Sequence, residues 1–332
     1  MLSHDFEPNP TYLEAQTIGK DFNRLNDKLV NLKKNNDVAI LFSNEALTAF
    51  NAFSFGWGAR EKYNDILRPY YDALYKMNVG VDFIDPSVNF GFAISDFGSA
   101  SSKSNAFGKY KMIIVPALYA ASDDLMKRLN QFVKDGGHVV YTFKTGFSDE
   151  NVKVRSTVQP GLANEVCGIS YSQFTIPNGV SLKNDPYQVG AAQNQVHTWM
   201  ELITPTTAQV LAYYDHPQWG KYAAVTQNQY GKGLATYIGC MTSAALTEQI
   251  LKQALKKSDL WGSDQEIVFP IITKSGKNQQ GKIVRYYFNY SAKPVKVSYS
   301  YKNGTELLSN KAVSQNSSMD LEAWGVKIVE EN

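Results

Sequence analysis

The residues best suited to chemistry in this chain are few, and their neighbours decide what they could do. Asp149 and Glu150 stand side by side after an apolar run, and Asp82 and Asp85 flank another. Paired carboxylates divide general acid and base work when both face one substrate. Adjacent loop residues point apart, however, and more commonly cap turns or bond to backbone. Cys240, between Gly239 and Met241, sits where an apolar run meets a helical one, the place of a nucleophile elbow. The elbow wants small neighbours, which Met241 is not, and no nearby motif supplies the histidine and acid that activate a thiol. Cys240 is therefore read as structural and Cys167 as a buried, inert thiol.

The four histidines, His4, His138, His197 and His216, are isolated from one another. A helix delivers metal ligands at i, i+4 spacing, and no two of these histidines stand so. Gly56 and Gly58 follow the first apolar run too late for a dinucleotide fingerprint, and Gly231-Lys232-Gly233 lacks the Ser or Thr and the helix of a phosphate loop. The residues themselves thus assign no catalytic, cofactor-binding or metal position, and imply no cofactor.

The elements that would position such residues alternate. Asn9 followed by Pro10 is a helix start, and Ala15, Ile18, Phe22, Leu25, Leu29 and Leu32 recur at spacings of three and four, painting one apolar stripe. The stripe needs a partner, either a segment upstream of the chain or the sheet that follows. Val38 to Phe42, Val81 to Ile84, Lys111 to Val115 and His138 to Tyr141 read as strands. Helices over Tyr63 to Met77 and from Ser122 to the Gly136-Gly137 pair separate them. That alternation predicts a parallel sheet covered on both faces, since parallel strands need helical crossovers.

After a weaker stretch with a short helix near Gly161 to Val166, strands are expected at Trp199 to Leu202, Gln209 to Tyr214, Tyr222 to Gln227 and Leu234 to Ile238. A hairpin at Gly231-Lys232-Gly233 and a helix from Ser243 to Lys256 complete the same domain. From about Ser263 the pattern becomes short strands without helical period, at Ile267 to Ile272, Lys282 to Asn289, Val295 to Tyr301 and Gly325 to Val329. Asn303-Gly304 reads there as a two-residue hairpin turn. Such a stretch is a small antiparallel β-sandwich, with the linker near Trp261 to Asp264.

Composition narrows the class. In 332 residues, 33 Lys plus Arg balance 31 Asp plus Glu, with no long run of one sign, which argues against nucleic acid or an anionic membrane as partner. The 43% hydrophobic content, with 20 Tyr and 17 Phe, supports buried cores and two domains. Two cysteines, no basic and apolar leader and no apolar window of membrane-spanning length suggest a cytoplasmic chain without a membrane partner. The sequons at Asn289, Asn303 and Asn316 matter only in a secretory compartment.

Several stretches together resemble glycoside hydrolase family 42, the β-galactosidases. The opening Leu2-Ser3-His4-Asp5-Phe6-Glu7-Pro8-Asn9, followed by Tyr12 and the Gly19 helix, looks like the segment that closes the family's (β/α)8 barrel. Tyr141-Thr142-Phe143-Lys144-Thr145-Gly146, Asp149-Glu150-Asn151 and Pro160-Gly161-Leu162 are similar to its trimerisation domain. Ala224-Val225-Thr226-Gln227-Asn228, Tyr230-Gly231-Lys232-Gly233 and Tyr237-Ile238-Gly239 match that domain's closing strands. Phe288-Asn289-Tyr290 and Gly325-Val326 fit the terminal sandwich.

The resemblance implies residues 1–35 as the terminal helix of a barrel domain, 36–262 as an α/β trimerisation domain and 263–332 as a β-sandwich. It makes the sheet flavodoxin-like (class I glutamine-amidotransferase-like) and doubly wound. It further implies a homo-oligomer, a trimer whose subunits help enclose each other's active sites, with a catalytic barrel as a separate partner. The family's two catalytic glutamates lie on barrel strands, which would precede Met1, so no glutamate here inherits either role and the chain alone is expected to be inactive. Phe50, Phe53, Phe55 and Trp57 are a candidate contact surface, or alternatively cap the sheet's own core. The competing functions are an amidotransferase-like enzyme using Cys240, and carbohydrate binding by the sandwich through Trp324 or Tyr299.

Overall fold

A computed structural model describes residues 2–53, 62–86 and 106–332. The chain divides into two compact units. An α/β unit comprises Asn36–Tyr75 and Val79–Trp261, and a β unit comprises Met1–Asn35, Lys76–Asn78 and Gly262–Asn332.

The α/β unit begins with β1 (Val38–Leu41), α2 (Asn44–Ala52), α3 (Tyr63–Lys76), β2 (Val81–Ile84), β3 (Met112–Val115), α4 (Asp123–Lys134) and β4 (His138–Thr142), α1 (Pro10–Leu29) lying in the β unit. Strands β1, β3 and β4 are buried at every position, the continuous apolar run of a strand covered on both faces. Helix α4 starts because Ser122 accepts the Leu125 amide at 3.2 Å and Asp123 and Asp124 meet the positive end of the helix dipole. It turns Leu125, Leu129 and Phe132 inward. It ends at Gly136, where φ is +120°, and at Gly137, where a β-carbon would lie 2.2 Å from the Phe132 ring.

The rest of this unit is α5 (Asn164–Cys167), β5 (Ile169–Ser170), β6 (Phe174–Thr175), β7 (Val180–Leu182), β8 (Gln195–Glu201), β9 (Thr204–Pro205), β10 (Gln209–Asp215), β11 (Ala223–Tyr230), β12 (Gly233–Ile238), β13 (Cys240–Thr242) and α6 (Ala244–Lys257). The main sheet runs β13-β8-β7-β10-β11-β12-β4-β3-β1-β2, with β6 attached to β8. Only β2, β1, β3, β4 and β12 are mutually parallel; from β11 to β13 every pairing is antiparallel. The parallel sheet expected of the first four strands is found there, and the strands that extend it beyond β12 make the whole a mixed sheet. Crossover helices enforce parallel pairing only in the first half, and the tight Gly231 turn, at φ +58°, reverses the chain from β11 into β12.

The β unit holds β14 (Ile271–Lys277), β15 (Ile283–Asn289), β16 (Val295–Tyr299), β17 (Gly304–Glu306), β18 (Lys311–Val313), β19 (Ser317–Leu321) and β20 (Val326–Glu331). Five strands form one antiparallel sheet, β14-β15-β20-β17-β18, and β16 pairs with β19 in a second. Ile271, Tyr287 and Val329 of the first and Val297, Tyr299 and Leu321 of the second share one core. Asn303-Gly304 is not a hairpin turn. β16 pairs with β19 instead of β17, so the chain crosses between sheets there, and Gly304 opens β17 where a β-carbon would come 2.4 Å from the Glu330 carbonyl oxygen. Close backbone approach, and not turn geometry, explains this glycine.

Helix α1 splits its apolar stripe. Leu25 is buried with Val284, Leu307 and Ile328, and Leu29 and Leu32 pack beside them, while Ile18 and Phe22 are each more than half exposed. Asn78 is a second clasp of this unit: its amide nitrogen donates to the Ile267 carbonyl at 2.8 Å and its oxygen accepts the Thr273 amide at 2.8 Å.

Candidate functional site

The best-built polar cluster stands at the carboxyl ends of β3 and β4, where open α/β sheets place their ligand sites. The turn that leaves β4 is tied down on all sides. The Thr142 hydroxyl accepts the Ala117 amide at 2.6 Å, the Thr145 hydroxyl donates to the Thr142 carbonyl at 2.7 Å, and the Gly146 amide reaches the Leu118 carbonyl at 2.9 Å. Within this turn Lys144 adopts φ +59°, a left-handed conformation that side chains disfavour. What holds it there is Glu201, the last residue of β8. The carboxylate accepts the Lys144 amide at 2.7 Å, the Trp199 indole N–H at 3.3 Å and the Tyr237 hydroxyl at 2.8 Å, with Tyr171 beside it.

Glu201 is fully buried. Burial pushes its carboxyl up to about 7, against the donors that favour the charged form. The Lys144 side chain, 5% exposed, carries its ammonium into an aromatic surround, 4.3 Å from the centre of the Trp199 ring, 4.9 Å from Tyr119 and 5.3 Å from Phe50. Ring faces attract a cation where water is excluded. Burial still lowers this lysine to about 8, opposed by the negative Glu201. Trp199 is swung into place by a bulge. The register of β8 against β13 slips between Cys240 and Met241, and Thr198 takes φ +61°. From Trp199 the rings continue outward to Phe174 at 4.3 Å, Phe147 and Tyr119.

A carboxyl near 7 at this end of a sheet could in principle move protons. Here its oxygens already receive an amide, an indole and a phenol, and its seat is closed to solvent, so it acts as the anchor of a strained turn and an aromatic ladder. Sequence reading did not single out Glu201 or Lys144. The available signal was an acid set in the short apolar run Trp199, Met200 and Leu202, which burial can tolerate only with several donors.

The residues weighed from the sequence stand elsewhere. Asp149 accepts the amides of Asn151 and Lys153, each at 2.9 Å, as a turn cap, and Glu150 is exposed. Asp82 binds Asn36 at 2.6 Å and Lys109 and Tyr110 at 3.0 Å; burial opposes its charge, but these donors outweigh it and lower its pKa. Asp85 receives Asn44 at 3.2 Å. Cys240 is fully buried and its thiol is pushed up to about 12 by burial, leaving no thiolate at neutral pH for an elbow. Cys167 is buried too.

His138, held by Ser258 and Thr236 at 2.7 and 2.8 Å, is driven down to about 4 by burial. His216 accepts the Gln218 and Trp219 amides, and His4 and His197 are exposed. Among the described residues no three His, Cys, Asp or Glu side chains gather as a metal site, and no helix is long and apolar enough to cross a membrane. Of the aromatic loop, Phe50 is buried against Tyr63 and Tyr119 in the unit's own core and Phe53 is 58% exposed. Phe55 and Trp57 lie outside the described residues. Tyr299, proposed to meet sugar, is fully buried and donates to the Lys302 carbonyl; Trp324 is 68% exposed.

A mixed α/β sheet whose buried acid anchors a turn, together with a small β unit of two sheets, defines the class of chain at hand. Residues 99–261 match the sequence model of the β-galactosidase trimerisation domain, and residues 276–331 that of the β-galactosidase C-terminal domain. The chain belongs to glycoside hydrolase family 42, of which it carries these two domains. It is 25% identical over 330 residues to β-galactosidase BgaA of Clostridium cellulovorans, covering 99% of this chain and 46% of that protein. It is 30% identical over 251 residues to β-galactosidase BgaB of Geobacillus kaustophilus, covering 76% and 34%. The chain thus spans less than half the length of the curated relatives it matches. Its fold is that of the β-galactosidase from Bacillus circulans sp. alkalophilus, with a TM-score of 0.81 at 21% identity over 100% of this chain and 46% of that one.

Proposed function

We propose that this chain is the assembly region of a β-galactosidase that hydrolyses terminal β-D-galactosides, that it trimerises, and that catalysis requires a barrel domain it does not itself supply. The observation that carries this reading is the tandem match of a trimerisation domain and a C-terminal domain in one chain. The bare half of α1 supports the barrel as partner: Ile18 and Phe22, one helical turn apart, form an exposed apolar face of the kind that marks an interaction site. On this reading residues 1–35 are the barrel's terminal helix, 36–262 the trimerisation domain and 263–332 the sandwich. The parallel order β2-β1-β3-β4-β12 supports a flavodoxin-like sheet. The net charge of +2 and two free, buried thiols support a cytoplasmic setting without a nucleic-acid partner.

Hydrolysis of a chromogenic β-galactoside tests the reading. The purified chain alone should give no turnover, and adding the isolated catalytic barrel of a family 42 relative should restore it. Turnover by the chain unaided would sink the proposal. A second reading rests on Trp324, exposed and held at φ +55°: its ring is a platform on which the β unit could stack a sugar. Calorimetry with galactosides checks this, and heat that survives Trp324→Ala would remove it.

A further inference from the structure

We infer that the open edge of β6, with Phe174 and Ile176 at its centre, is a surface on which a second copy of this chain docks; the inference rests on the trimer reading above and names the surface that serves it. Strand β6 hydrogen-bonds β8 on one side, Phe174 facing Glu201 and Thr175 facing Met200, and among the described residues no other strand pairs with it. Exposed strand edges invite pairing with another chain, and proteins blunt them with charges, proline or very short edge strands; β6 is two residues long and Pro177 follows Ile176, so the side chains of this edge, and not its backbone, would make the contact. This edge is not blunted by charge. From Tyr171 to Leu182 no residue is acidic or basic, and charge depletion is what distinguishes the centre of an interface from ordinary surface.

The apolar content is exposed rather than folded away. Phe174 is 41% exposed, Ile176 48%, Val154 51% and Val158 58%. The loop bearing the two valines adjoins β6, because Gln159 bridges Tyr171 and the Phe147 ring lies 5.9 Å from that of Phe174. Phe174 is also held in position before any partner arrives. Its ring stacks on Trp199 at 4.3 Å, and Trp199 is fixed by its bond to the buried Glu201. A rigid aromatic anchor loses little freedom on binding, which favours a hot spot. The occupant is a second copy because the surface lies inside the stretch, residues 99–261, that matches a trimerisation domain.

Light scattering across a concentration series tests the inference with the whole chain, the doubly substituted Phe174→Asp/Ile176→Asp variant, and Trp324→Asp as a control outside the surface. The unsubstituted chain and the control should be trimers. The double variant should dissociate, with a rise of at least about tenfold in the dissociation constant, and keep its circular dichroism spectrum. Hydrogen exchange of the unsubstituted chain above and below its dissociation constant needs no variant, and should show amides of residues 171–178 protected only in the trimer. A double variant that stays trimeric, with no concentration-dependent protection of 171–178, overturns the inference and leaves the trimer reading standing. An unsubstituted chain that is monomeric at all concentrations overturns the trimer reading, and the inference with it. If the variant loses its fold, protection of 171–178 decides.

Discussion

Glu201 and Lys144 titrate away from their ordinary values in opposite directions, and the signs make the pair testable. Glu201 is raised from 4.5 to about 7 by burial. Its contribution to stability is complete below pH 4.5 and is lost as pH rises through 7, because the folded state holds the proton more tightly than the unfolded chain. Lys144 is lowered from 10.5 to about 8, again chiefly by burial. Its contribution is complete above pH 10.5 and is lost as pH falls through 8. Between 7 and 8 both groups carry their full cost, so the α/β unit should be least stable in that window as far as this pair decides. Glu201→Gln should remove the acid-side slope, a difference of about 2 kcal/mol between pH 5 and pH 7.5 in urea unfolding followed by tryptophan fluorescence. A slope left intact by the substitution would show that another group titrates. Lys144→Met, which keeps a long apolar chain among the rings, should flatten the alkaline side in the same experiment. Neither residue was legible in sequence as a site, since an acid beside apolar residues gains meaning only when Lys144 and Tyr237 arrive from two other segments to join Trp199 of its own strand.

Helix α1 behaves as part of the β unit, so its packing should be read in that unit's unfolding. Leu25 is 4% exposed among Val284, Leu307 and Ile328, and Leu25→Ala should destabilise the β unit by about 2 to 4 kcal/mol, the cost of a cavity in a closed core. Unfolding of residues 262–332 that ignores this substitution would mean the helix merely rests on the surface. Gly304→Ala should cost about 2 kcal/mol or more, since a β-carbon would meet the Glu330 carbonyl oxygen at 2.4 Å and a backbone carbonyl cannot swing away. In α4, losing the Ser122 hydroxyl that caps the Leu125 amide should cost about 1 kcal/mol by chemical denaturation of Ser122→Ala. Most elements of the α/β unit were readable in advance because their signals are local. Val81 to Ile84 lies where its alternation with helices placed it, α4 begins and ends at its own cap residues, and the Gly231 turn joins two strands as expected. Strands β17 to β19 were missed: each is three to five residues long, too short to show a period. The Asn303-Gly304 dipeptide misled because the residue pair that favours a tight turn also suits a close crossing of backbones.

At the scale of the molecule, charge argues for how copies would associate. The chain carries a formal net charge of +2, and the β6 surface has no acidic or basic residue from Tyr171 to Leu182. Association through it should be nearly indifferent to salt. Raising ionic strength from about 0.05 to about 0.5 M should change the trimer constant, read by sedimentation velocity, by less than about threefold, whereas a contact built on ion pairs would weaken steeply. The sequence by itself determined the family, the order of the two domains and the alternation that makes half a sheet parallel, because each of these is carried by residues close together along the chain or by motifs in series. Only the tertiary structure decided that the second half of the sheet turns antiparallel, that α1 packs beside residues nearly 300 positions away, and that Glu201 lies under Lys144 and Trp199. Those outcomes depend on which distant surfaces exclude water together, and that choice is made by packing across the whole fold and not by any local run of residues.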